Sequence, residues 1–347
     1  MSTPMPPPDA DPAMKGVVGI QNMGNTCYCN TTLQLLRACP EWTVYCLTET
    51  APPRPENPNY RIFVAYQEIL RSLWSAYLPA YVRPLGFLHE VCQAVKGTPY
   101  EMFGMPIQND SHEYLVYLLD HFHEALRQEV PYEEIPLTPS MTSTEAMRAR
   151  AVNGWNRFVS KNKSVVVDLF FGMMRKTIQC TVCQQCNYQW EVFNSMKVPC
   201  EGATFMEWIL REITERTELA DYQCDVCKEK RRAVLSSHLW KLPPHLFITL
   251  HRFRFDGQKI MTPCPYDGTP ILFRDGYAPE SDDPMRHRLY ELRGVSDHHG
   301  THMGGHYSAQ FKHPLTGQWW MIDDERAQSM EQPRFTASNY IFYFRHT

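Results

Sequence analysis

Apolar positions recur along this chain with a helical period in its first half and mainly with a strand period in its second. After the turn-prone residues Asn22, Gly24 and Asn25, the positions Tyr28, Leu35, Leu36 and Cys39 repeat at helical spacing, as do Cys29, Leu33 and Leu36. A second stripe, Ile62, Phe63, Tyr66, Ile69, Leu70 and Leu73, predicts an amphipathic helix over about residues 60–77. A third stripe, Tyr114, Leu115, Leu118, Leu119, Phe122 and Leu126, follows Asp110 and Glu113, whose three-residue spacing reads as a capping box. His112, His121 and His123 read as members of that core helix. Residues 130–150 hold three prolines and read as a polar loop, with helical spacing resuming near Trp155. The run VVVDLFFG at 165–172 reads as a buried strand or element edge. Thr204 and Glu207 cap a helix carrying Phe205, Trp208, Ile209 and Ile213. Leu246, Ile248 and Leu250 then alternate, and strand-like runs follow at 288–296, 306–313 and 318–325. Turn signals from His298 to Gly305 and from Pro314 to Gly317 separate those runs, which predicts an antiparallel meander.

Composition narrows the class. With 347 residues, 43% hydrophobic and 12% aromatic, the chain can bury a substantial core in one large domain or two smaller ones. A formal net charge of -4 argues against a general nucleic-acid binder. No apolar run reaches the length of a membrane span. Residues 1–14 are Pro-rich, carry Asp9 and Asp11, and show neither a secretory signal nor an Arg-rich transit pattern. They read as a disordered lead, and the setting they predict is intracellular, in cytoplasm or nucleus. In that compartment twelve cysteines predict thiols and metal ligands rather than disulfides.

Four of them have metal spacing. Cys180-x-x-Cys183 and Cys224-x-x-Cys227 each sit in a strand–turn–strand setting, and two such knuckles together make a tetrahedral thiolate site suited to structural Zn2+. Cys183-x-x-Cys186 has the same spacing, so the ligand register stays open. The βαβ context of a redox CxxC is absent.

Cys27 lies where the polar turn enters the first helix. A helix N-terminus offers free N–H groups and positive potential, which favour thiolate, and Thr26 and Asn25 stand ready as caps. His306 opens a strand after Gly304 and Gly305. Asp323 follows on the next strand, within reach across the pair. A Cys-His-Asp set of this kind performs acyl transfer: Cys27 attacks a carbonyl, His306 takes and returns the proton, and Asp323 fixes the imidazole. Asp324 is the alternative third member, since strand spacing alone does not choose between neighbours. His298, His299 and His302 precede His306 in what reads as a solvated mobile loop rather than a metal cluster. Gln108 and Asp110, at the open end of their helix, are placed to face a cleft.

These residues resemble the ubiquitin-specific proteases, the cysteine-protease deubiquitinases of peptidase family C19. The matching stretches are Gly19 to Tyr28, Gln108 to Tyr114, Phe170 to Gly172, LPPHLFITLHRFRFD from Leu242, Gly304 to Ser308 and Trp319 to Asp324. Together they span about residues 16–344. The resemblance implies an α+β, papain-like catalytic domain over 15–347. Its parts would be a thumb (about 16–160), zinc-ribbon-tipped fingers (about 165–240) and a palm (mostly 241–347). It implies hydrolysis of the isopeptide or peptide bond after the C-terminal glycine of ubiquitin. It assigns oxyanion stabilisation to Asn22, contact with a basic residue of the ubiquitin tail to Asp110, and the lining of the tail channel to Tyr307. It favours Asp323 over Asp324 and selects Cys180, Cys183, Cys224 and Cys227 as the zinc ligands. It also implies ubiquitinated proteins as partners, with room for a recruiting or activating protein. Cys29 stands where the family commonly has Met, His251 replaces a usual Lys, and Met173 a usual Gln; Asn109 and Tyr114 also depart from the pattern. Two other functions are carried as alternatives: a protease for another ubiquitin-like modifier, which the sequence separates poorly because the grip lies in loops and fingers, and a non-catalytic ubiquitin-binding module. The latter would be expected to lack a triad member, and none is missing.

Overall fold

Ahead of Cys27 the chain forms a two-residue strand, β1 (Gly19–Ile20), and at Cys27 it enters helix α1 (Cys27–Arg37), which is buried along its whole length. These elements come from a computed structural model that describes residues 15–49, 54–301 and 304–347. The lead at 1–14 and His302 fall outside the described residues. Contacts divide the chain into two units. The first holds Met1–Leu126, Arg252–Pro263 and Leu292–Phe344; the second holds Arg127–His251, Cys264–Glu291 and Arg345–Thr347.

In the first unit α1 is followed by α2 (Pro40–Thr48), α3 (Pro58–Leu73), β2 (Tyr81–Val82), α4 (Leu85–Ala94) and α5 (Ser111–Leu126). The α3 stripe is capped by Asn57, whose side chain accepts from the Asn59 amide at 2.9 Å, with Pro58 in the first turn. The helix ends at Leu73, where its apolar repeat ends, rather than near residue 77. Trp42 joins the helices, lying 6.1 Å from Tyr66 and 5.4 Å from Phe122 between ring centres. Fully burying each such side chain contributes about 1.5–3 kcal/mol. β1 pairs in parallel with β2.

The second unit corrects two expectations. A helix, α6 (Ser143–Asn162), begins inside the stretch read as polar loop. Thr142 and Glu145 form a reciprocal capping box there, and all three prolines lie upstream of it. Its buried face, Met147, Ala149 and Ala151, is built of residues too small to stand out as a stripe. The Val-rich run is a helix as well, α7 (Val165–Phe170), not a strand. The Ser164 hydroxyl accepts from the Val167 amide at 3.1 Å, and Val166, Val167 and Phe170 are buried. The cap and the burial outweigh the strand preference of three β-branched residues. There follow β3 (Gly172–Cys180), β4 (Cys186–Phe193), β5 (Met196–Pro199), α8 (Phe205–Ile213), β6 (Arg216–Gln223), β7 (Lys230–Lys241) and β8 (His245–His251). An antiparallel sheet runs in the order β4-β3-β7-β6, and β5 pairs in parallel with β8.

The chain ends in the meander β9 (Tyr290–Thr301), β10 (Gly304–Lys312), β11 (Trp319–Asp323), β12 (Arg326–Met330) and β13 (Asn339–His346), arranged β12-β11-β10-β9-β13. The stretch from His298 onward is not a solvated loop. β9 continues to Thr301, and Gly305, His306 and Tyr307 pair with Gly300, His299 and His298. His298 is buried, its ring 4.6 Å from Tyr307 and 5.4 Å from Phe253. Lys259 donates to the His298 carbonyl, and burial pushes that ammonium down to about 8. Residues 252–263 join the first unit through Arg252. Its buried guanidinium donates to the carbonyls of Asn339 at 2.7 Å, Ile260 at 3.0 Å and Thr262 at 2.7 Å.

Candidate active site and metal centre

The loop before Cys27 is organised around Asn22. Its Oδ1 accepts from the amides of Gly24 at 3.0 Å and Thr26 at 3.2 Å, closing a tight turn. Gly24 (φ 95°) and Asn25 (φ 57°) take the left-handed conformations that such a turn needs. The Asn22 amide nitrogens are held as well, the backbone by Glu325 Oε1 at 2.9 Å and Nδ2 by Asp324 Oδ2 at 2.8 Å. Neither expected cap forms. Thr26 is the cap residue of α1, but its side chain makes no capping bond and its Oγ1 accepts from the Met23 amide at 2.9 Å instead.

Cys27 is the first residue of α1 and is 3% exposed. Burial pushes its thiol up. The backbone amides of Tyr307, Tyr28 and Cys27 itself pull toward thiolate, while the Asp324 carboxylate pushes the same way as burial. The expected lowering at a helix N-terminus is therefore reversed: the amide dipoles are present, but desolvation outweighs them. Cys29 turns away. It is wholly buried, and its Sγ donates to Tyr114 Oη at 3.5 Å.

The structure brings His306 and Asp323 together, with Nε2 to Oδ1 at 2.5 Å. The register explains it. Ala309 faces Ile322 across β10 and β11, so Asp323 reaches diagonally past Ser308 to His306. Asp324 Oδ2 lies 3.9 Å from the same nitrogen. The two aspartates differ in surroundings: the Asp323 side chain is 49% exposed and that of Asp324 9%. Asp324, at φ 48°, turns inward, where it binds Asn22 and accepts from Asn30 Nδ2 at 2.7 Å. Burial raises its carboxyl. With Nε2 on Asp323, Nδ1 is left for the Cys27 side, where the amide of the next residue, Tyr307, already meets the thiol.

The three residues expected at the substrate are engaged within the chain. Gln108 makes two 2.6 Å bonds to Gly305, donating from Nε2 to its carbonyl and accepting at Oε1 from its amide. Asp110 caps α5, Oδ1 accepting from His112 at 2.7 Å and Glu113 at 3.1 Å, and its Oδ2 accepts from the Tyr340 hydroxyl. Tyr307 is buried with its ring 6.1 Å from Tyr340. Tyr340 went unremarked in the sequence, because nothing in the apolar run of β13 singles it out.

In the second unit the four knuckle cysteines converge, all four Sγ atoms lying within 4.8 Å of one another. Cys180 Sγ is 4.0 Å from Cys227 Sγ, and Cys183 Sγ is 3.5 Å from Cys224 Sγ. A tetrahedral zinc–thiolate site with bonds of about 2.3 Å has sulfur–sulfur edges of about 3.8 Å, so the donor set fits that ion and is far too open for disulfides. The knuckles are alike in backbone. Gln184 and Lys228 donate back to the carbonyls of Cys180 at 3.0 Å and Cys224 at 2.8 Å, and both residues are left-handed (φ 60° and 59°). Cys186 is outside the cluster, its Sγ turned to the Gln184 carbonyl at 3.7 Å.

The family model described as "Ubiquitin carboxyl-terminal hydrolase" matches residues 18–344. The chain belongs to that family. Among its relatives, this hydrolase-family chain is 25% identical to ubiquitin carboxyl-terminal hydrolase Usp2 of Drosophila melanogaster, over 97% of the chain and 36% of that protein. It is 25% identical to ubiquitin carboxyl-terminal hydrolase 2 of Bos taurus, over 95% of the chain and 55% of that protein. The chain thus spans about a third to about half of these two relatives, whereas it covers 96% of ubiquitin carboxyl-terminal hydrolase 2 of Gallus gallus, at 28% identity. A solved SAGA DUB module of Ubp8, Sgf11, Sus1 and Sgf73 bound to monoubiquitin superposes with TM-score 0.75 at 19% identity, over 99% of this chain and 72% of that one. The family's α+β, papain-like fold is therefore shared through the chain. Among the described residues, no helix is long and apolar enough to cross a membrane.

Proposed function

We propose that this chain is a thiol deubiquitinase, hydrolysing the isopeptide or peptide bond after the C-terminal glycine of ubiquitin. The observation that supports this most is the 2.5 Å His306–Asp323 pair beside a thiol that meets the Tyr307 amide, in a chain of this family. Cys27 Sγ attacks the glycine carbonyl as its proton passes to His306 Nδ1. His306 then gives the proton to the departing amine, and water, deprotonated by the same imidazole, resolves the thioester. Asp323 holds the proton on Nε2 and supports the imidazolium. Asn22, held by Asp324 and by its own turn, presents its remaining Nδ2 hydrogen to the oxyanion. Losing one such donor typically costs about 10²–10³ in kcat.

Cys180, Cys183, Cys224 and Cys227 would hold a structural Zn2+, which when bound cross-links the two knuckles and takes no part in the chemistry. We propose the thumb, fingers and palm division for residues 16–347, with Asp110, Gln108 and Tyr307 bordering the tail path. Twelve cysteines, four of them with metal-knuckle spacing, favour an intracellular setting, cytoplasm or nucleus. Ubiquitinated proteins are the substrates, with room for a recruiting or activating protein, as the similar Ubp8 is solved in a module with Sgf11, Sus1 and Sgf73.

Ubiquitin carrying a C-terminal thiol-reactive warhead tests this reading. An adduct mapped to Cys27 and absent from Cys27→Ala is the expected result, with ubiquitin binding retained by the variant. Labelling only by the warhead form of another ubiquitin-like protein would transfer the activity to that modifier. No labelling of folded, zinc-loaded protein by any of them would leave a binding module.

A further inference from the structure

We infer that Gln108 is a positioning residue for the proposed hydrolysis, acting through the backbone of Gly305 to set His306 and the Tyr307 amide against Cys27. The inference rests on the reading of Cys27 and His306 as the reacting pair.

It begins with an uncovered strand edge. β9 pairs with β10 along one edge, from Gly304 to Phe311, but β11 reaches back along the other only as far as Ala309. In an antiparallel ladder the N–H and C=O of alternate residues face the same neighbour. Gly305, Tyr307 and Ala309 therefore share an edge, and each has a different partner there. Ala309 has β11, the Tyr307 amide has the Cys27 thiol, and Gly305 has Gln108. The Gln108 carboxamide bonds both the N–H and the C=O of Gly305 at 2.6 Å, as the backbone of a neighbouring strand would.

The two glycines are closely surrounded, Gly304 by Gln108 and Gly305 by β9. A Cβ on Gly304 would stand 3.3 Å from Gln108 Oε1, and one on Gly305 would stand 2.3 Å from His298 Nε2 and 2.4 Å from the His299 carbonyl. Having no side chains, the two glycines cannot anchor themselves. Gln108, in turn, is well anchored. Two residues on, Asp110 caps α5 and takes the Tyr340 hydroxyl, and Asn109 Nδ2 donates to the carbonyl of Ile107 at 3.2 Å. Gln108 thus ties the approach to His306 to the fixed start of a helix that packs on α1.

The test uses the full chain with Gln108→Ala and Gln108→Glu. Steady-state hydrolysis of a ubiquitin C-terminal fluorogenic amide is measured from pH 5 to 9, along with the alkylation rate of Cys27 by iodoacetamide from pH 5 to 11. In Gln108→Ala we expect kcat to fall by about tenfold to a hundredfold with KM nearly unchanged, the size of effect that a small misplacement of reacting groups produces. The alkylation midpoint should move upward as the Tyr307 amide loosens. In Gln108→Glu, the ionised carboxylate accepts from the Gly305 amide but meets its carbonyl as a second acceptor; once protonated, the carboxyl donates again. The Gln108→Glu deficit relative to the parent should therefore shrink toward pH 5, whereas the Gln108→Ala deficit does not depend on pH. An unchanged kcat, a rise in KM alone, or a Gln108→Glu deficit insensitive to pH would each overturn the inference. Recovery at low pH also separates positioning from misfolding. If the parent fails to cleave ubiquitin, the proposed function fails, and the alkylation measurements still decide the role of Gln108.

Discussion

Cys27 illustrates how opposed effects settle at one atom. Three backbone amides favour its thiolate, and burial with the Asp324 carboxylate disfavours it more. A raised thiol value means less thiolate at neutral pH than free cysteine has. Alkylation of Cys27 in the unliganded protein should therefore climb through the alkaline range with a midpoint above that of free cysteine, and Asp324→Asn should lower that midpoint by removing one of the two opposing effects. A flat, high rate near pH 5–6 would instead mean that thiolate and imidazolium are already paired. Cys27, His306 and the Asp323–Asp324 pair stand out in the sequence as candidates because each sits at a local boundary: a turn entering a helix, a glycine pair entering a strand, a strand end; strand spacing left the choice between the two aspartates open. The Gln108–Gly305 contact could not, since it joins residues 197 apart and exists only because β11 stops short. The sign at Cys27 was likewise hidden, because burial belongs to the packed molecule and not to the helix end.

At the level of elements, large apolar side chains at regular spacing made α1, α3, α5 and α8 readable. Where that signal failed, a different local force had won. Three valines suggested a strand until Ser164 capped them into α7, and the alanines of α6 left no stripe to see. The histidine-rich stretch looked like solvated loop because its hairpin partners lie on either side of a polar turn. β1 carries an element-scale prediction. Ile20 donates to the Asp324 carbonyl at 2.9 Å, and Gly19 lies so close to the same turn that a Cβ would stand 2.3 Å from the Glu325 carbonyl carbon. Gly19→Ala must push β1 away from the Asp324 turn. A loss of about 1–3 kcal/mol, typical of overpacking, is expected in urea unfolding. kcat should fall with it, because the same turn holds Asn22; an unchanged unfolding midpoint would show that β1 yields freely.

For the molecule as a whole, family membership and fold follow from the match across residues 18–344, and the four-cysteine cluster gives a separate handle on the second unit. One Zn2+ per chain is the expected content by elemental analysis. Its removal by chelator, or Cys224→Ser, should lower the melting temperature by several degrees, about what the loss of 1–2 kcal/mol produces in a domain-sized unit. One ion retained with unchanged melting in Cys224→Ser would place the metal elsewhere. The segmented make-up of the first unit has a further consequence, which concerns time. Its helices are made early, yet the strands that pack with them in the finished unit leave the ribosome only after the whole second unit has been synthesised, its last few residues apart. At about 5–20 residues per second, α1 must wait on the order of tens of seconds before β10 and β11 exist. During that interval a nascent chain carries Cys27 without His306 or Asp323, so any reactivity that needs the three together waits for β10 and β11.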